Sequence, residues 1–257
     1  MKVSACLELL FKTEAPDLPG RIRLAKAAGF DLVEFWRWTN KDLDATEAAL
    51  RETGVKVAGI VAEPMIALTD PQNHARFLSE LPRSLAVAQR LGAPVMIAQA
   101  GDEIAGMSRD AQRAALTECL AKAADVIAGS GVVIVLEPLN TLVDHAGYYL
   151  SSTVEGLDIV DDVGRSDIRL LYDIYHSAVM GEEISDVLAG RVDRVAHVHL
   201  ADHPSRNEPG SGQMDWQRRL DWIVGAGYRG PIGLEFKPTG STVESLRVFD
   251  KAVGRRG

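Results

Sequence analysis

Ala128 to Asn140 reads A-G-S-G-V-V-I-V-L-E-P-L-N, the junction of a helical pattern with a strand that ends on an acid. Upstream, Asp110 to Ala128 sets apolar residues three and four apart, the period of a helix with one buried face. Gly131 offers a left-handed residue just past that helix without a Cβ penalty. The following V-V-I-V-L is apolar throughout, as a parallel strand covered on both faces requires.

The same order recurs along the chain. Gly29 precedes L-V-E-F-W, Gly54 precedes K-V-A-G-I-V-A, and Gly92 precedes P-V-M-I-A. Gly164 precedes I-R-L-L-Y-D, Gly190 precedes V-A-H-V-H-L, Gly227 precedes P-I-G-L-E-F, and Gly254 follows the last helical run. With K-V-S-A-C-L-E-L-L-F at the start, this predicts eight strands, each followed by a helix, without a linker or composition break. The fold expected is α/β, a single (β/α)8 TIM barrel over residues 1–257. A doubly wound open sheet is the alternative, but L-L-F-K-T-E-A-P after the first strand is not a Gly-rich nucleotide loop. The shortest predicted helix is the sixth, near Glu182 to Leu188.

Composition narrows the function. An apolar fraction of 46% supplies a core, and a formal charge of −8 argues against a nucleic-acid partner. Cys6 and Cys119 have no metal-binding spacing and read as two reduced core thiols. Neither a cleavable leader nor an apolar run of membrane-spanning length is visible, so a cytoplasmic protein with no membrane partner is expected. A homo-oligomer is compatible with all of this.

In such a barrel the active site forms at the C-terminal ends of the strands. Strand five ends V-I-V-L-E137, strand six L-L-Y-D173-I-Y-H176, strand seven A-H-V-H199, strand eight P-I-G-L-E235. Three acids and an imidazole at one rim repel and desolvate one another unless a cation joins them. Mixed oxygen and nitrogen donors suit one divalent ion: Mn²⁺, Mg²⁺ or Co²⁺ first, with Zn²⁺ also compatible. In V-A-H-V-H-L-A-D, His197 and His199 share a strand face, and His199 is nearer the rim; His197 reads as a core histidine.

Cations and aromatic groups near the same rim are the candidates for holding substrate. Lys237, two residues after Glu235 on the same predicted strand face, is the first choice for an anionic group, with Arg206 and His145 behind it. Trp36 and Trp38, in F-W-R-W after strand two, would share a face as a pocket wall, and Tyr148 and Tyr149 are open to either packing or a pocket role.

These stretches together resemble the hydroxypyruvate isomerase family among the xylose-isomerase-like barrels. The resemblance spans nearly the whole chain. Its motifs are A-A-G-F-D-L-V-E-F, E-P-L-N-T with H-A-G-Y-Y-L, Y-D-I-Y-H, H-V-H-L-A-D, R-N-E-P-G-S-G and G-L-E-F-K-P-T-G-S-T-V-E-S-L. It implies Glu137, Asp173, His199 and Glu235 as metal ligands, and Glu137 and Glu235 as an acid/base pair on opposite sides of the substrate. It also implies that His176 contacts a substrate oxygen and that Arg206, Glu208 and Lys237 line the mouth. The expected activity is isomerisation of a small 2-oxo-hydroxy acid of the hydroxypyruvate/tartronate semialdehyde type through a metal-bound enediolate. The chain departs from the family in carrying histidine at 199, where hydroxypyruvate isomerases usually have glutamine and related ketose 3-epimerases have histidine. The stretch A-E-P-M-I-A-L-T-D-P is also short beside that family. Epimerisation or decarboxylation of a 3-oxo sugar or sugar acid at the same site therefore stays open, with a ketose or hydroxy-oxo acid as the small-molecule partner. A three-zinc nuclease needs more histidines than the six here, and a metal quartet argues against a non-catalytic binder.

Overall fold

The computed structural model describes residues 2–254; Met1 and residues 255–257 of the expected domain lie outside them. Eight strands run in chain order around a closed barrel: β1 (Val3–Cys6), β2 (Leu32–Glu34), β3 (Lys56–Val61), β4 (Val95–Gln99), β5 (Val133–Glu137), β6 (Ile168–Asp173), β7 (Val195–Leu200) and β8 (Ile232–Leu234). Each neighbouring pair is parallel, and β1 bonds to both β2 and β8. That last pairing removes both sheet edges and with them the doubly wound alternative.

The helices on the outside are α1 (Leu18–Ala27), α2 (Leu43–Thr53), α3 (Pro71–Leu91), α4 (Arg109–Ile127), α5 (Thr153–Val163), α6 (Ile174–Val179), α7 (Ile184–Val187), α8 (Trp216–Gly225) and α9 (Thr242–Ala252). All eight punctuating glycines have positive φ; Gly54 and Gly92, at φ +69° and +68°, cap α2 and α3 in the left-handed region where a side chain would be strained. One segment differs from expectation. Where a single short helix was predicted after β6, the chain forms α6 and α7 and then a 3-10 turn at Val192–Arg194. Asp173 is the cause: its Oδ1 accepts the backbone N–H groups of Tyr175 (2.7 Å) and His176 (3.1 Å), so a helix starts on the last residue of the strand.

Two apolar cores follow from strand alternation. Ile134 and Leu136 of β5 join the large core between sheet and helices, whereas Val135 packs with Val61, Val95, Ile97 and Leu171 inside the barrel. Cys6 and Cys119 are free thiols buried in the fold. Two irregularities re-aim side chains. Between β6 and β7 the register slips, Leu170 facing Val195 but Leu171 facing His197. Between β2 and β3 it slips at Glu34, which faces Gly59. Both slips precede residues that meet above the interior core. No helix among the described residues is long and apolar enough to cross a membrane.

Candidate metal centre

Strand ends β5, β6 and β8 deliver Glu137, Asp173 and Glu235 to one point above the interior core. Donor atoms of these three and of His176 lie within 4.8 Å of one another, all buried. His199 adjoins the group: its Nδ1 is 3.5 Å from Glu137 Oε1 and 3.7 Å from Glu235 Oε2. Three of the four residues expected as ligands thus converge together with His176, whose Nε2 is 3.7 Å from Asp173 Oδ2, while His199 groups with Glu34 and His197 and reaches this set through Glu137 and Glu235. Three buried carboxylates around one point are costly without a positive charge. Both ring nitrogens of His199, Nδ1 facing these acids, are also buried without a hydrogen-bond partner. An unsatisfied imidazole nitrogen beside converging carboxylate oxygens is a donor set that fits a divalent cation.

Burial and neighbouring charge split the acids. Desolvation pushes the Glu137 carboxyl up to about 7, against the lowering effect of His199. Desolvation and the charge of Glu235 raise Asp173. For Glu235 desolvation also acts upward, but His199, Arg206 and the Trp36 hydrogen bond outweigh it and hold the carboxyl below its ordinary value. His176 is driven down to about 3 by desolvation and by the Arg206 cation, so it is neutral. Its Nδ1 accepts the Asn140 backbone N–H at 3.1 Å, which leaves the ring proton on Nε2, the nitrogen facing Asp173.

Above these groups lies a cavity of about 270 Å³. Its polar side carries Gln99, Glu137, His145, His176, Arg206 and Glu235; its apolar side carries Trp36, Val61, Met65, Ile97 and Leu139. Trp36 donates its indole N–H to Glu235 Oε1 at 2.8 Å. Trp38 does not share that face. It lies beyond the end of β2, where alternation no longer applies, and its indole bonds to Ser84 Oγ (3.0 Å) under α3. Arg206 donates to Glu235 Oε2 at 2.6 Å and lies beside the Tyr175 ring. Lys237, the first choice from sequence, is exposed and does not line the cavity, because β8 ends at Leu234 and the expected shared face stops there. Half-buried His145 lines the cavity, its ring centroid 5.3 Å from that of His176. Glu208 instead ties Thr239, accepting its backbone N–H at 3.1 Å. Tyr148 and Tyr149 have structural partners, the Ala100 N–H (2.6 Å) and Glu155 (3.0 Å).

Three positions have roles that the sequence does not assign. Glu34 bonds His197 behind His199; its signal, an acid ending L-V-E, was masked by the aromatic run that lengthens the apparent strand. Gln99 ends β4 in the cavity. Asp202 holds the loop that carries Arg206, accepting from Gly210 N (2.7 Å), Gly212 N (3.0 Å) and the Trp216 indole (3.0 Å).

Residues 22–252 match the family described as xylose isomerase-like TIM barrel. The chain belongs to that family. The hydroxypyruvate isomerase of Escherichia coli K12 is 29% identical over 97% of this chain and 98% of its own length. A 2-oxo-tetronate isomerase of Cupriavidus necator is also 29% identical, over 91% of this chain and 93% of its own. A crystal structure from Brucella melitensis described as an AP endonuclease, family 2, superimposes with TM-score 0.91 at 26% identity, covering 97% of this chain and 98% of that one.

Proposed function

We propose that this protein is a divalent-metal-dependent isomerase of a small 2-oxo-hydroxy acid, interconverting substrates of the hydroxypyruvate/tartronate semialdehyde type. The observation that carries the reading is the placement of Glu137 and Glu235, from strands three places apart, in one small cavity that also holds a nearly enclosed arginine. The isomerase names of the two relatives support a three- or four-carbon acid.

Glu137, Asp173, His199 and Glu235 would hold the cation. When bound, it polarises the adjacent carbonyl and hydroxyl oxygens of the substrate and stabilises negative charge on them. Arg206, already paired with Glu235, offers its remaining N–H donors to the substrate carboxylate. One glutamate takes the proton from C3 of hydroxypyruvate and a proton returns at C2, while the hydroxyl proton passes between the two oxygens. His176 donates from Nε2 to a substrate oxygen, because Asn140 occupies its other nitrogen. The apolar wall of Trp36, Val61, Met65, Ile97 and Leu139 limits water and chain length.

The test is NMR in D₂O with Mn²⁺-, Mg²⁺- or Co²⁺-reconstituted protein and a panel of three- to five-carbon oxo acids and ketoses. Interconversion of hydroxypyruvate with tartronate semialdehyde, deuterium entering at the migrating position, is the expected result. Glu137→Gln and Glu235→Gln should each slow it by roughly 10²–10⁴-fold, the usual worth of a general acid or base. The histidine at 199 keeps a second reading in the same experiment. Deuterium without a constitutional isomer marks an epimerase, and released CO₂ marks a decarboxylase. No exchange or turnover with any of them, metal present, defeats the enediolate chemistry.

A further inference from the structure

We propose that Glu34 is a positioning residue that aims His199 at the cation. This rests on the metal centre proposed above, but Glu34 lies outside the four strand ends that make it up. The carboxylate is buried at the end of β2 and is anchored through one oxygen only. Ser4 Oγ donates to Oε2 at 2.8 Å, and His197 Nε2 lies 2.9 Å from the same atom. The other oxygen, Oε1, and His199 Nε2 are both buried without a hydrogen-bond partner and lie 3.0 Å apart. His199 therefore stands between two sets of acids, Nε2 toward Glu34 and Nδ1 toward Glu137 and Glu235.

An ionised carboxylate only accepts hydrogen bonds, so the ring nitrogen facing Glu34 is the one that carries hydrogen. A neutral imidazole with its hydrogen on Nε2 keeps its lone pair on Nδ1. That lone pair points at the place where Glu137 and Glu235 converge. A carboxylate behind the ring is the outer partner that orients metal-binding histidines in general and makes them better donors. His197 thereby gains a purpose its sequence position did not reveal: with Ser4 it locks Glu34. Packing supports the arrangement, because a Cβ at Gly233 of β8 would lie 2.2 Å from Glu34 Oε1 and 2.6 Å from His199 Cδ2. The carboxylate and the ring occupy the space a side chain would need.

The experiment titrates Co²⁺ into metal-free wild type, Glu34→Gln and His199→Gln, following the visible absorption of the bound cobalt. Glu34→Gln is expected to weaken Co²⁺ binding roughly 10–100-fold, the range for losing such an outer partner, and to shift the cobalt spectrum. Unchanged affinity and spectrum in Glu34→Gln overturn the inference. A second measurement uses no Glu34 variant, so a misfolded one cannot block the answer. In ¹⁵N-imidazole spectra of the Zn²⁺-loaded wild type, with His199 identified by its loss in His199→Gln, hydrogen on Nε2 and metal on Nδ1 are expected. Hydrogen on Nδ1 and zinc on Nε2 overturn the inference. Wild type that binds neither Co²⁺ nor Zn²⁺ defeats the metal centre itself, a result distinct from a loss confined to Glu34→Gln.

Discussion

Arg206 holds a left-handed backbone at φ +56°, a conformation that costs a non-glycine residue about 1–3 kcal/mol. Its guanidinium is nearly enclosed, and its Nε has no partner in the protein. A strained, desolvated cation with a spare donor at the cavity edge is built for an anionic group. Arg206→Met is expected to lower kcat/KM for an oxo acid by roughly 10–100-fold, in keeping with one charge-assisted hydrogen bond of about 1.5–3 kcal/mol. Lys237→Met should leave it within about twofold, as for a solvated side chain. Steady-state kinetics with an acid and a neutral ketose checks both, and equal losses in the two variants would return recognition to Lys237. The sequence favoured the lysine because strand alternation is easy to count. What places Arg206 is a turn in a loop, and spacing carries no record of it. The acids of the site were legible for the opposite reason: each ends an apolar strand, so its position needs only the strand's end.

Loops and strand ends set the limits of that legibility. Strand β2 is three residues long, and the aromatic run after it reads as more strand, so Glu34 was passed over and Trp36 and Trp38 were placed together. The helix after β6 divided because one side chain, Asp173, both ends the strand and caps α6. Asp202 closes V-A-H-V-H-L-A-D for a related reason: it gathers the backbone of the following loop rather than joining the acids. Gly212 is part of that device, since a Cβ there would lie 2.6 Å from Asp202 Oδ1. Asp202→Ala should cost about 1–3 kcal/mol for each donor left buried and unpaired. It should also raise KM by loosening the loop that carries Arg206. Urea unfolding and kinetics measure the two effects, and full stability with an unchanged KM would show that the loop is held by other contacts.

The whole barrel was the most legible feature, because eight repeats of one pattern reinforce one another and closure needs no single residue. Its site unites chemistry with stability: a cation bound only by the folded chain adds RT ln(1 + [M]/Kd), about 2.7 kcal/mol at a hundredfold excess over Kd. Thermal melting should therefore shift upward with Co²⁺ or Mn²⁺ and fall back with chelator, and a melting point indifferent to both would count against a resident ion. Around the ring the acids and the apolar contacts come mostly from different strands. The ends of β5 and β8 supply Glu137 and Glu235 to the cavity, while β3, β4 and the loop after β3 supply Val61, Ile97 and Met65. Selection can thus retune one arc without disturbing the other. Ile97→Ala should admit a longer carbon chain, moving the ratio of kcat/KM between five- and three-carbon acids by roughly 10–200-fold, the leverage of one or two methylenes in an apolar pocket. Deuterium exchange per turnover should stay the same. Such a barrel can diversify its diet while inheriting its reaction intact.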